Sequence, residues 1–291
     1  MFAEFLQFLF SGITVGATYA LVALGFSIIY NSSHVINFAQ GEFVMLGGMC
    51  TASLIGVGVP IPLAALIAVI VTVIVGMLLE KLAIEPAGAA GVVPLIIITI
   101  GASIFLRGVA QLVWDKEYHM LPAFTGEDPI ILGGASFLPQ SLWVLGGGSV
   151  IVFFMWYFFE KTLLGKAMLA TAYNSLAARL MGIETRMVLL LSFALSAMMG
   201  AMAGILVTPI TLTNYEVGIM LGLKGFCAAI LGGLGKGWGA VVGGLIVGVA
   251  EAMGAGYISS EYKDAIAFVI ILFVLFFMPS GLFGQRQTER V

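Results

Sequence analysis

Charge is what this sequence has least of. Only 9% of its 291 residues are Asp, Glu, Lys or Arg, and 61% are hydrophobic. Soluble domains carry roughly 25% charged residues, so a water-soluble globule is excluded. No Lys or Arg precedes Lys81, and without a basic n-region no cleavable signal peptide is expected. The two histidines, His34 and His119, stand alone in polar loops. The two cysteines, Cys50 and Cys227, fall in apolar segments with no His, Asp or Cys cluster beside them. They are expected to be buried reduced thiols, and neither a disulfide nor a metal site is expected. A Walker-type phosphate loop is missing too. The nearest run, Gly232-Gly-Leu-Gly-Lys236-Gly237, has the wrong spacing and a glycine where the hydroxyl is needed. ATP binding through a P-loop of its own is thereby excluded, and no catalytic residue or cofactor is expected. The net charge of −3 is small and gives no sign of a nucleic-acid partner.

Long apolar runs take the place of charge. Stretches of about 20 apolar residues, each able to cross a hydrocarbon core about 30 Å thick, recur at residues 5–30, 35–54, 63–79, 94–113, 141–159, 187–207, 218–234, 240–254 and 265–278. The expected fold is an all-α polytopic membrane helix bundle, one transmembrane domain over residues 1–291, with eight or nine transmembrane segments. The count depends on whether 35–54 or 218–234 is re-entrant. Both are short and contain glycine, yet their sequences align poorly. The 38 glycines are dispersed through the apolar runs, far above a usual share of about 7%. Gly12 with Gly16, and Gly200 with Gly204, are spaced as small-xxx-small packing faces. Residues 80–93 read as a loop.

Two polar intervals set the orientation. Residues 160–186 hold Lys161, Lys166, Arg179 and Arg186, four of the twelve basic residues, and the tail carries Arg286 and Arg290. Basic loops stay on the cytoplasmic side. Residues 114–140 are net acidic through Asp115, Glu117, Glu127 and Asp128, and are expected outside; nine spans then put the N-terminus outside. Within the basic interval, residues 171–182 form a short helix candidate. Asn174 or Ser175 is its N-cap, and Gly182 its left-handed C-terminal stop. The leucines, Met181, Ala177 and Ala178 give it a modest apolar face, with Arg179 beside it. A helix of this kind between two spans needs a partner to cover it.

Ionisable groups inside apolar segments are costly and often functional. Arg107, Lys224 and Glu251 fall toward the outer ends of their segments, where snorkelling accounts for them. Glu42 follows Asn37 and Gln40 within six residues. Asn37, Gln40 and Glu42 form a polar patch that either glues two helices or lines a pathway or its gate. Their closeness to the break at residues 31–34 makes them a shallow, inner-side group.

With these residues assembled, the chain resembles the LivH-type permeases of branched-chain amino-acid ABC importers over nearly its full length. Ile36-Asn-Phe-Ala-Gln-Gly-Glu42 is similar to the family's I-N-F-A-H-G-E, with Gln40 in place of His. Residues 222–235, 260–264 and 278–282 also look like family signatures. Ala177-Ala178-Arg-Leu-Met-Gly182 fits the A-A-x-x-x-G part of the importer coupling loop, with Leu176 where a Glu would stand, and Glu85 precedes Pro86 where relatives carry a basic residue. The resemblance implies a multi-pass protein of a bacterial inner membrane, surrounded by lipid and paired with a second related permease subunit. Two separate ATP-binding subunits would dock at the cytoplasmic face, and an extracytoplasmic binding protein would deliver leucine, isoleucine or valine. It further implies that Ala177, Ala178, Arg179, Met181 and Gly182 couple the ATPases to the membrane helices. The 114–140 loop and residues 260–264 would face the binding protein.

Permeases for urea and short amides share these signatures. From a different class, an ion-coupled secondary transporter would use Glu42 as its ion site but leaves the helix at 171–182 without a purpose. A channel finds no support, because no ring of like charges or filter sequence is present.

Overall fold

The computed structural model describes residues 2–88, 90–126, 128–278 and 280–284. All nine apolar runs form helices. In chain order they are α1 (Phe2–Ser33), α2 (Gln40–Gly56), α3 (Ile61–Leu79), α4 (Val92–Trp114), α5 (Pro139–Lys161), α8 (Thr185–Thr211), α9 (Val217–Gly232), α10 (Gly237–Tyr257) and α11 (Lys263–Phe277). The basic interval adds α6 (Leu163–Tyr173) and α7 (Ser175–Leu180). Among the described residues, six helices are long and apolar enough to cross a membrane: α1, α3, α4, α5, α8 and α10. At 1.5 Å per residue α2 and α9 reach only about 25 Å, short of the core thickness. These are the two runs whose re-entry was left open. The 80–93 interval, read as a loop, instead begins with a π-helical turn, Glu80–Ile84, that prolongs α3.

Burial follows the distribution of small and large residues. The most apolar stretch of α1 is 83% buried, whereas those of α4 and α5 are 17% buried, so α1 is the central post and α4 and α5 lie at the periphery of the bundle. A helix apolar on every side belongs inside, and every residue from Tyr19 to Ile29 is buried. Gly12 and Gly16 let α1 lie directly on the backbone of α10, where added Cβ atoms would meet Val249 and Leu245. Gly200 and Gly204 do the same for α8 against Phe43 and Val44 of α2. The spacings expected to be packing faces are packing faces.

The two ends of the bundle are identified by contacts between distant segments. At one end the Asn31 amide donates to the Gly235 carbonyl and Arg186 pairs with Glu85. At the other, His119 and Thr213 exchange backbone hydrogen bonds, and Gln7 accepts from the Ser136 backbone in a small hairpin, β1 (Ile130–Leu132) with β2 (Ala135–Phe137). The N-terminus and the acidic interval therefore share an end, opposite the basic interval. Glu127 and the tail arginines Arg286 and Arg290 lie outside the described residues.

A repeat emerges once the comparison starts earlier than the apolar runs. Asn37-Phe-Ala-Gln-Gly41 and Asn214-Tyr-Glu-Val-Gly218 share Asn, an aromatic residue and Gly at the same offsets. In both, the Asn side chain accepts from the backbone N–H two residues on, at 3.1 Å, and the Asn carbonyl accepts from the third. Each lies in a non-helical return between a long helix and a short one, with a left-handed residue at its start, His34 at φ 54° and Leu212 at φ 62°. The returns enter from opposite ends. The poor alignment of 35–54 with 218–234 is thus corrected: the matching residues begin before the second of those windows.

Candidate functional site

The N-termini of α2 and α9 come together inside the bundle. A Cβ on Gly41 would collide with the Gly218 carbonyl oxygen, and one on Gly218 would stand 2.7 Å from the Gly41 carbonyl. Only glycine at both positions lets these backbones touch.

Around this contact sit the three polar residues singled out above, and the structure divides them. Asn37 is turned inward to brace the return, its Oδ1 on the Ala39 N–H. Gln40 is fully enclosed, donating to the Ser196 carbonyl at 3.1 Å, while the single Ser196 hydroxyl proton is shared between the Gln40 side-chain oxygen and the Gly25 carbonyl, 2.9 Å away. Through Ser196, Gln40 joins helices α1, α2 and α8. Glu42 points elsewhere. Its Oε1 accepts from Ser103 Oγ at 2.7 Å and lies 3.4 Å from Arg107 Nε on α4. Its Oε2, although buried, has no hydrogen-bond partner. Glu42 and Arg107 line a cavity of about 130 Å³ with Phe26, Phe38 and Leu223 among its walls. Ser103 lies roughly 17 Å along α4 from its start, so Glu42 is deep in the bundle. The shallow, inner-side placement is overturned, because residues 34–39 turn back into the bundle before α2 begins.

The snorkelling account of the other charges also fails. Lys224 and Glu251 are 5% and 7% exposed. Lys224 Nζ donates to Glu251 Oε1 at 2.7 Å and to Asp264 Oδ1 at 2.6 Å, and the Tyr19 hydroxyl donates to Glu251 Oε2 at 2.8 Å. This network ties α1, α9, α10 and α11 together. Arg107, half-buried, turns to Glu42 rather than to the interface. Tyr19, Ser103 and Ser196 had no signal in the local sequence, and Asp264 stood out only as part of the 260–264 signature, with no partner indicated. Their partners are remote along the chain.

The basic interval is more helical than a single short helix. The 171–182 candidate is broken at Asn174, which ends α6 and caps α7 through its Oδ1 and the Ala177 N–H at 3.0 Å. Gly182 takes φ +84°, as its stop position requires. Ala177 and Met181 are exposed, but Ala178 is 4% exposed and faces the chain's own core. Arg179 is exposed, with its Nε donating to Thr185 Oγ1 at 3.0 Å. Leu163, Tyr173, Leu176, Leu180 and Met181 are all more than two-thirds exposed or close to it. Among the described residues, no group of three or more His, Cys, Asp or Glu side chains is arranged to hold a metal ion.

A family described as the permease component of branched-chain amino acid transport systems matches residues 8–275. The chain is 35% identical over 306 residues to the high-affinity branched-chain amino acid transport system permease protein LivH of Salmonella typhimurium, covering 100% of this chain and 99% of that one. It is 33% identical to the corresponding permease protein BraD of Pseudomonas aeruginosa, over 99% and 98% of the two chains. At 24% identity it is similar to the ribose import permease protein RbsC of Escherichia coli, over 87% and 79%. Among solved structures, PsaBC from Streptococcus pneumoniae in complex with Fab shares the fold, with a TM-score of 0.52 at 16% identity over 96% of this chain and 97% of that one. The chain belongs to the family of permease components of branched-chain amino acid transport systems, as a multi-pass protein of the inner membrane.

Proposed function

We propose that the chain is the membrane-spanning permease subunit of an ATP-driven importer that moves leucine, isoleucine and valine into the cell, with ATP hydrolysed on separate subunits. The surface of α6 and α7 carries this reading. Leu176, Leu180 and Met181 stand exposed on a capped helix at the end where basic residues gather, with exposed Tyr173 at the adjoining end of α6. Exposed apolar groups clustered outside the membrane mark an interaction site, and a docked ATPase subunit covers them. Ala177, Arg179, Met181 and Gly182 belong to that coupling surface, with Ala178 as the residue that seats α7 on the chain. Closure of the ATPases pushes α7, and α8 follows through the short connection at Gly182. A second related permease completes the membrane unit. The extracytoplasmic binding protein rests on the 114–140 loop and residues 260–264, at the opposite end.

The choice of branched-chain substrates is supported by full-length similarity to the permeases LivH and BraD, named for that transport. Asn37 and Gln40 act as the latch that holds the return beside the gate, and Glu42 lines the pathway. One observation favours a second reading. Broken helices from opposite ends meeting at mid-bundle are also the build of ion-coupled secondary transporters, in which Glu42 would take the ion.

Competition for uptake tests the substrate assignment. In proteoliposomes holding the complete complex, labelled leucine uptake is expected to fall with added isoleucine or valine and to be unmoved by urea or acetamide. Competition by urea or acetamide, with none by valine, would make this an amide permease.

A further inference from the structure

We propose that the cavity between α1, α2, α4 and α9 is a binding station for the zwitterionic head of an aliphatic α-amino acid, with Glu42 receiving the ammonium and Arg107 the carboxylate. This names the handle by which the substrate is held and rests on the reading of the chain as an amino-acid permease.

Glu42 and Arg107, which both line this cavity, each keep one buried side-chain atom without a hydrogen-bond partner. Glu42 is 1% exposed, and while its Oε1 is bonded to Ser103, its Oε2 is buried without a partner. Buried carboxylate oxygens are almost always satisfied, because leaving one bare forfeits its hydration with nothing in return. Arg107 Nε likewise makes no hydrogen bond, standing 3.4 Å from Glu42 Oε1. A closed carboxylate–guanidinium fork has shorter, parallel bonds. The pair is therefore apposed but open, and both members line the same cavity of about 130 Å³.

The surrounding elements suit a charged head on an aliphatic body. Gly218 and Gly222 of α9 line the cavity, and a Cβ on Gly218 would stand 2.7 Å from Glu42 Oε2. The N-terminus of α9 lies against Glu42, where its positive potential favours the ionised carboxylate. Phe26, Phe38, Ile100, Ile219 and Leu223 make the remaining wall apolar. The space corresponds to roughly four water molecules, enough for a short branched hydrocarbon in their place.

Charge balance selects the ligand class. Glu42 with Arg107 is neutral overall, and so is a zwitterion, so insertion leaves no net buried charge. An amine of the same skeleton meets Glu42 and leaves Arg107 without an anion; an acid does the reverse. An unmatched buried charge is penalised strongly. The station reads the two charged groups together.

Protection of an introduced cysteine tests this in the complete complex. With Cys50 and Cys227 replaced by Ala, Ile219→Cys and, separately, Leu223→Cys place a thiol in the cavity wall for reaction with a methanethiosulfonate. Leucine is expected to slow modification about tenfold at roughly ten times its dissociation constant, since occupancy removes free sites in that proportion. The same concentrations of 3-methylbutylamine, 4-methylpentanoate or acetamide are expected to leave the rate unchanged. Adding Glu42→Gln should abolish protection by leucine. Equal protection by the amine, the acid or acetamide, protection that survives Glu42→Gln, or no protection by leucine at either position would overturn the station. Leucine uptake by the parent complex is recorded alongside. ATP-dependent uptake without protection sinks the station alone, whereas uptake of urea or acetamide in place of leucine sinks the functional reading beneath it.

Discussion

Lys224 is held by carboxylates from two other helices, and its removal is expected to be felt more than that of any exposed charge. Lys224→Met leaves Glu251 and Asp264 facing each other with no cation between them. Breaking a buried pair by removing one partner costs about 3–5 kcal/mol, so the thermal midpoint of the purified complex in detergent should drop sharply. Lys224→Met combined with Glu251→Leu should recover part of the loss, because the most deeply buried unpaired charge is gone. An unchanged midpoint in the single variant would show that the network holds nothing together. Tyr19→Phe should cost less, about 1.5–3 kcal/mol, as one hydrogen bond to a still-paired carboxylate. Local sequence placed Lys224 and Glu251 near helix ends, where long charged side chains reach water. The pairing is invisible at that range, because its partners are 27 and 40 residues away along the chain. Glu42 was legible as an anomaly, since a carboxylate between Gln40-Gly41 and an apolar run is costly and calls for either a helix-gluing partner or a place on a pathway. Its depth was not, because a six-residue return into the bundle leaves no hydropathy signal.

At the scale of elements, α7 was the most legible feature. Asn174 and Gly182 are cap residues of types that local chemistry prefers, and both occupy the expected positions. The break between α6 and α7 was not legible, since residues 163–173 contain no proline and their basic residue masks an ordinary helix. Gly182→Val forces a β-branched residue into the left-handed region. That costs about 1–2 kcal/mol for any L-residue and more for a branched one. The expected outcome is near-normal ATPase activity with leucine uptake reduced severalfold; full uptake in this variant would free Gly182 from a coupling role. The contact between α2 and α9 allows a sharper test. Gly41→Val drives a side chain into the Gly218 backbone, and no nearby flexible group can yield. Little or no folded complex should be recovered, while Gly101→Val, on an open face of α4 with nothing within 4 Å, should assemble normally. Equal recovery of the two would mean that the backbones do not touch.

At the scale of the whole molecule, the nine apolar helices among the described residues were legible because apolar run length decides them, and hydrophobic burial needs no knowledge of partners. The inverted relation of the two broken elements was not, because it rests on Asn, an aromatic residue and Gly in each copy, inside segments whose other residues differ. That relation gives the bundle two ends of opposite character, and a labelling experiment reads them. A cysteine at Lys116 should react with a membrane-impermeant reagent in intact spheroplasts, and one at Leu180 only after permeabilisation; the reverse pattern would invert the chain. Two broken helices that meet at their N-termini also leave a choice between two energy sources, since the same build serves ATP-driven and ion-driven transport. The most direct measurement is leucine uptake by the reconstituted complex, with its binding protein, under imposed ATP or imposed ion gradients, repeated with Leu180→Asp and Met181→Asp together. The expected result is uptake that requires ATP on the α7 side, ignores proton and sodium gradients, and is lost in the double variant with the complex's membrane part still folded. Uptake driven by a proton or sodium gradient without ATP, and indifferent to the α7 substitutions, would contradict it.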